Sequence, residues 1–230
     1  MSSPVTEHLF NELNDLYAAD AGSLGSYVSG SASYGGMTDE SDVDFYVLTS
    51  DYHGFLERIH GARRVEVRWR TFDEISLDIS RGGPFIYQLM DATILRDPDN
   101  KVSELIDDAH ARYADFASSQ SAVKEVHFQV GEARMKLRSA RRSGDGALQA
   151  YLCSIYTELV LKAMFVMMDK PVATGTTAWR WIRKTDGVSS QGVGQLEKML
   201  QLPVSEKSAA FDGMLDQLHG VLTAKMKGRM

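Results

Sequence analysis

Cysteine is almost missing from this chain: Cys153 is the only one in 230 residues. An internal disulfide is therefore excluded, and with it the cross-linked scaffolds of small secreted domains. A reducing, cytoplasmic setting is the expectation. Cys153 lies in the apolar run AYLCSIYTELVLKAMF, where it reads as a buried helix residue rather than a nucleophile. Long hydrophobic runs are missing too, since no uninterrupted stretch approaches the roughly 18–20 residues of a membrane span. The start, MSSPVTEHLF, has neither the basic opening nor the apolar block of a signal peptide, so no membrane partner is expected. His8, His53, His60, His110, His127 and His219 show no metal-ligand spacing, and read as surface or structural residues. Internal repeats and low-complexity segments are also lacking.

What the chain does have is unevenly spread. Residues 1–110 carry 8 Lys and Arg against 20 Asp and Glu, whereas residues 111–230 carry 17 against 11. Such asymmetry points to two domains with different tasks, with random unevenness as the plain alternative. The first half mixes helical and strand periods. Residues 4–20 read as an amphipathic helix with Leu9, Phe10, Leu13, Leu16 and Tyr17 on one face. SLGSYVSG, DVDFYVLT and RRVEVRWRTF read as strands, DYHGFLERIHG as a short helix closed by Gly61, and GGPFIYQLMDATILRDPDN as helix, strand and turn. Beyond about residue 115 the pattern becomes helical throughout, with breaks at Gly144-Asp145-Gly146 and Pro171. The expected fold class is α+β: a mixed sheet flanked by helices over residues 1–115, then a helical bundle over residues 116–230.

The chemistry concentrates in VSGSASYGGMTDESDVDFYVLTS, residues 28–50. Strand side chains alternate, so Asp42, Asp44 and Tyr46 share one face while Val43, Phe45 and Val47 share the other. Two carboxylates on one face suit a hard, oxygen-seeking ion such as Mg²⁺. In RRVEVRW, Glu66 alternates against Val65 and Val67; pairing of this strand with the first would add a third acid. Three acids so close ask for cations, and two metals roughly 3.5–4 Å apart would satisfy them. The alternative for Glu66 is an exposed strand glutamate paired with Arg68 or Arg70. Ahead of the acids, Gly30 permits close backbone approach and Ser31 offers a hydroxyl and an N–H. A helix starting near Ser33 would aim free N–H groups at phosphate. GSASYGG has no Gly-Lys-Ser/Thr and is not a Walker A loop.

Gly30-Ser31, ten residues, Asp42-Val43-Asp44 and a downstream strand acid together resemble the DNA polymerase β-like nucleotidyltransferase superfamily. GSASYG and SDVDFYV are similar to the minimal nucleotidyltransferases, including aminoglycoside, lincosamide and antitoxin-type members. The resemblance covers about residues 20–110 and includes ILRDPDNKVSELIDDA. It implies that Gly30 and Ser31 bind the phosphates of ATP or another nucleoside triphosphate. Asp42 and Asp44 would be the principal Mg²⁺ ligands and Glu66 the third, two ions being the expectation. The implied reaction is attack of a substrate hydroxyl on the α-phosphate with loss of pyrophosphate. A small-molecule acceptor is implied, an antibiotic being the natural guess; transfer of AMP to a protein or RNA and a non-catalytic nucleotide-binding module are the alternatives. Nucleic acid is not an expected partner, and a homodimer stays open.

The helical half offers further candidates. Glu158, in YTELVLKAMF, would suit proton abstraction if buried, as helical domains of the family imply; otherwise it is a surface acid paired with Lys162 at i+4. Lys162 could itself reach the triphosphate. Arg134, Arg138, Arg141 and Arg142 recur at helical spacing and suit either phosphate or solvent. Trp179 and Trp181 read as packing residues, with stacking on substrate as the alternative.

Overall fold

Period-2 alternation in three segments of the first half builds a sheet that is apolar on both faces. The computed structural model describes residues 4–19, 22–38, 40–185 and 188–228. These fall into two units, Met1–Asp115 and Phe116–Met230. The whole is α+β, with all described strands in the first unit.

The first unit begins with α1 (Pro4–Tyr17) and continues with β1 (Ser23–Ser29), β2 (Val43–Thr49), β3 (Gly54–His60) and β4 (Arg63–Thr71). Then come α2 (Phe72–Arg81), α3 (Phe85–Met90), β5 (Thr93–Arg96) and α4 (Lys101–Ala114). The strand order is β3-β4-β2-β1-β5. β2 and β4 run parallel, while β1–β2, β1–β5 and β3–β4 are antiparallel. Val43, Phe45, Val47, Val65 and Val67 form one core with Leu9, Phe10 and Leu13 of α1. On the opposite face Tyr27, Tyr46 and Leu48 pack with Ile75 and Ile79 of α2, Ile86 and Leu89 of α3, and Val102 and Leu105 of α4. Tyr27 and Tyr46, cross-strand partners, stack with centroids 4.9 Å apart. The face that bears the acids is therefore not bare: helices cover it beyond Tyr46, and the acids sit where β2 begins.

Three local expectations change. DYHGFLERIHG forms the edge strand β3, not a helix, because Gly61 at φ +62 turns the chain back and pairs His60 with Arg63. Its solvent side is guarded by Glu57 and Arg58, charges that discourage edge-to-edge association. FDEISLDISR forms α2, which the strand reading of RRVEVRWRTF ran past. The Thr71 hydroxyl accepts from Glu74 N at 3.2 Å and Gly82 at φ +78 closes the helix, a Thr-x-x-Glu start that was legible. Leu16 is exposed, leaving Leu9, Phe10 and Leu13 as the buried stripe of α1.

The second unit holds α5 (Gln120–Ser143), α6 (Gly146–Met167), α7 (Gly175–Lys184), α8 (Val188–Leu200) and α9 (Val204–Gly228). Gly144 at φ +73 ends α5, and the Asp145 side chain accepts from Leu148 N at 2.9 Å to start α6. Val123, Val126, Val130, Ala133 and Leu137 make the buried stripe of α5. It meets α6 and the Phe211, Leu215, Leu218 and Leu222 face of α9. By length and composition α6 would also pass for a membrane span; here Leu152, Cys153, Val160, Leu161 and Phe165 are buried in the helical core. Burial lifts the Cys153 thiol above its usual range.

His127 and His219 stack between α5 and α9 with ring centroids 4.0 Å apart. Burial, then the neighbouring His127 and Arg134, hold His219 below its ordinary value, against the pull of Asp216. A depressed histidine contributes stability above the unfolded pKa of about 6.5 and loses it as pH falls through the folded value. Urea midpoints followed by tryptophan fluorescence should therefore fall between pH 7.5 and 5.5, and His219→Asn should flatten that slope.

Candidate active site

The turn after β1 is one round of 3-10 helix, Gly30–Ala32. The Gly30 carbonyl accepts from Ser33 N at 3.1 Å and from the Ser33 hydroxyl at 2.8 Å. The Thr93 hydroxyl on β5 donates to Ser33 O at 3.3 Å, and the Ser29 hydroxyl donates to Gln88 O at 2.9 Å. No helix starts at Ser33, so the expected helix N-terminus is replaced by a turn whose serine closes it internally. Among the described residues no partner takes the Ser31 hydroxyl.

Gly30 is required twice over. Its φ is +66, and a Cβ there would lie 2.8 Å from Asp44 Oδ2. The left-handed conformation alone would cost another residue about 1–2 kcal/mol. The turn and the acidic strand are thus in direct contact, as Ser29 opposite Asp44 in the β1–β2 register requires.

Asp42 stands just before β2, exposed and without an ion pair among the described residues; Asp44, two residues on, is half-buried. The parallel β2–β4 register sets Asp44 beside Glu66. Burial first, with like charge from Asp42 and Glu66, pushes the Asp44 carboxyl above its usual range, while Arg68 and Arg64 pull it down. This is the electrostatic crowding that the sequence pattern anticipates.

Glu66 is buried, and both its oxygens are occupied. Arg64 Nη2 lies 2.7 Å from Oε1, and Arg68 Nη2 hydrogen-bonds Oε2. Arg68 also approaches Asp44 Oδ1 at 3.7 Å, and Arg64 reaches Glu57 on β3 at 2.9 Å. Among the described residues no group of three or more His, Cys, Asp or Glu side chains is placed to hold a metal ion. The donor chemistry of Asp42 and Asp44 fits a divalent cation; Glu66 joins them only if Arg68 gives way. The alternative of an exposed Glu66 paired with Arg68 or Arg70 holds only in the pairing with Arg68: Glu66 is buried, and Arg70 lies near Glu74 at 3.8 Å. Arg64 was missed, although the alternation Arg64-x-Glu66-x-Arg68 puts all three on one face.

In the second unit Glu158 is exposed, so of the two readings the surface acid is the one its position matches: the apolar side of α6 faces the core and Glu158 points away. It lines a groove of about 270 Å³ with Gln129, Leu159, Lys162 and Thr174. Lys162 bonds Glu125 Oε1 at 2.9 Å and Gln129 Oε1 at 3.2 Å, which replaces the expected pair with Glu158. The arginine row of α5 is spent on α9: Arg134 meets Asp216 at 2.5 Å, and Arg138 and Arg141 meet Asp212 at 2.7 and 3.0 Å. Trp181 is buried beneath Lys184, whose amine lies 4.6 Å from the ring.

No family model matches the chain, and no curated protein does. Among solved structures it is similar to a nucleotidyltransferase-like protein from Exiguobacterium sibiricum 255-15. The identity is 12%, the TM-score 0.47, and the match covers 93% of this chain and 74% of that one. A likeness this distant leaves the functional reading to the residues themselves.

Ionised Asp44 is a cost to the metal-free fold: a carboxyl raised above its unfolded value contributes stability only at low pH and loses it as pH rises through the folded value. Asp44→Asn should therefore raise the Tm in EDTA at pH 7. Gly30→Ala should lower it, by calorimetry in the same buffer.

Proposed function

We propose that this chain is a nucleotidyltransferase that moves AMP from ATP to a hydroxyl of a small molecule and releases pyrophosphate. The observation that carries the reading is the close approach of the Asp44 carboxylate to Gly30, 2.8 Å from where a Cβ would stand, with Asp42 at the same strand end. A positive-φ glycine turn whose serine hydroxyl has no partner among the described residues is suited to phosphate oxygens. A pair of acids against that turn is suited to the cation that accompanies a triphosphate. Either feature alone is common; their direct contact is what favours a nucleotide.

In this reading Asp42 and Asp44 hold Mg²⁺, which supplies positive charge against the phosphates. Ser31 and the backbone of the turn hold the distal phosphates, fixing the α-phosphate for in-line attack. The acceptor oxygen forms a bond to the α-phosphorus, the bond to the β-phosphate oxygen breaks, and the hydroxyl proton passes to a base or to water. Positioning and charge neutralisation supply most of the acceleration. The surplus of acids over residues 1–110 favours a cationic acceptor, of which an aminoglycoside is an example. Glu158 and Lys162, with a groove beside them, are the second unit's candidates for contact with acceptor or nucleotide.

Pyrophosphate release from ATP and Mg²⁺, measured across a panel of aminoglycosides and lincosamides, tests this directly. Asp44→Asn should reduce release by about 10²–10³-fold or more while leaving the circular dichroism spectrum unchanged. Ser31→Ala, which removes one hydrogen bond to a charged group, should cost roughly tenfold to a hundredfold. Full activity in Asp44→Asn would remove the assignment; activity with no panel member would remove the antibiotic acceptor.

A further inference from the structure

We infer that Arg68 is a built-in cation of the acidic site, exchanged for the divalent ion when the nucleotide binds. The inference rests on the metal-and-nucleotide reading above and goes beyond it, because it assigns a role to a residue which that reading does not use.

Three features single out Arg68. Its guanidinium lies between two of the acids, hydrogen-bonded to Glu66 and 3.7 Å from Asp44 Oδ1. It thus occupies the place where positive charge is needed, between two carboxylates that are neighbours in the β2–β4 register. Second, the guanidinium lies beside two rings and two carboxylates, yet one of its donors is unpaired among the described residues. The guanidinium carbon sits 5.2 Å from the Phe55 ring centre and 6.0 Å from that of Tyr46, and Nε is buried with no hydrogen-bond partner among the described residues. A buried donor left unpaired marks a conformation with something to gain from moving. Third, Glu66 does not depend on Arg68 alone, since Arg64 holds its other oxygen at 2.7 Å. Departure of Arg68 would therefore leave Glu66 anchored, with one oxygen released toward Asp44.

The consequence is competition. A dication entering between Asp44 and Glu66 must displace a guanidinium, and two cations cannot share those oxygens without repulsion. The metal alone gains less than the bare acids would give it. A triphosphate arriving with the metal brings anionic oxygens that suit a planar guanidinium fork, so the displaced head has a new partner. Metal and nucleotide then favour each other's binding through one side chain, and that coupling is reciprocal.

The test is Mn²⁺ binding to the full chain, read by electron paramagnetic resonance without nucleotide, for wild type, Arg68→Met, Arg68→Lys and Asp44→Asn. Arg68→Met should bind Mn²⁺ about fivefold more tightly than wild type, or better. At saturating Mg²⁺ it should bind a non-hydrolysable ATP analogue about fivefold more weakly by calorimetry. Arg68→Lys, which keeps the charge and loses the fork, should fall between the two in both measurements; it decides the matter if Arg68→Met does not fold. Unchanged or weaker Mn²⁺ binding in the Arg68 variants, with wild type binding and Asp44→Asn not, overturns the exchange and leaves the metal reading standing. Wild type that binds no Mn²⁺ overturns both.

Discussion

Everything at the candidate site depends on β2 and β4 lying side by side in parallel, with Asp44 opposite Glu66. Two strands separated by so short a stretch of chain would ordinarily form an antiparallel hairpin. β3 prevents that: it takes the hairpin with β4 at the sheet edge and returns the chain so that β4 enters beside β2 in the same direction. A slip of one residue in this register would turn Glu66 into the α1 core and send Val65 or Val67 into the acidic end. The apolar packing of Val65 and Val67 on Leu9, Phe10 and Leu13 therefore sets the acid geometry, although none of those residues is polar.

The turn at Gly30 is the second half of the same arrangement. Because β1 pairs with the other edge of β2, the end of β1 is bound to arrive beside Asp44. The short 3-10 turn then bends across the strand end instead of running past it. Hydrogen bonds from Ser33 and Thr93 stiffen this turn from within and from β5. The site is preformed by backbone on one side and held by ion pairs on the other.

Much of this could be read along the chain, since its signals are local. Alternation around Asp42–Val47 and Val65–Val67 shows which side chains share a face, and glycine at 30 marks a tight turn. What escaped has a common cause: it depends on which strand lies next to which. DYHGFLERIHG carries an apolar pattern that suits a short helix as well as an edge strand, and only pairing with β4 decides between them. Glu66 as a third acid follows from alternation once the pairing is known; its clamp by Arg64 and Arg68 lies within β4, and only their further reach to Glu57 and Asp44 needs the neighbouring strands. Glu158 misleads for the opposite reason. An acid in an apolar stretch suggests burial, yet one helix has two sides, and α6 turns its glutamate outward with Tyr151 and Ile155.

The arginine row of α5 carries a lesson about charge. Counted along the chain, the second half is basic, which would suggest a surface able to draw in polyanions from a distance. In space, Arg134, Arg138 and Arg141 share Asp212 and Asp216 of α9, so this row is held in short ion pairs across a helix–helix seam, while the net basic surplus of residues 111–230 stays as it was. Dipoles fade with distance far faster than net charge does, and at physiological salt the remaining field is screened within about 8 Å. Any long-range pull on an anion would therefore come from the other lysines and arginines of this half and not from the arginine row of α5.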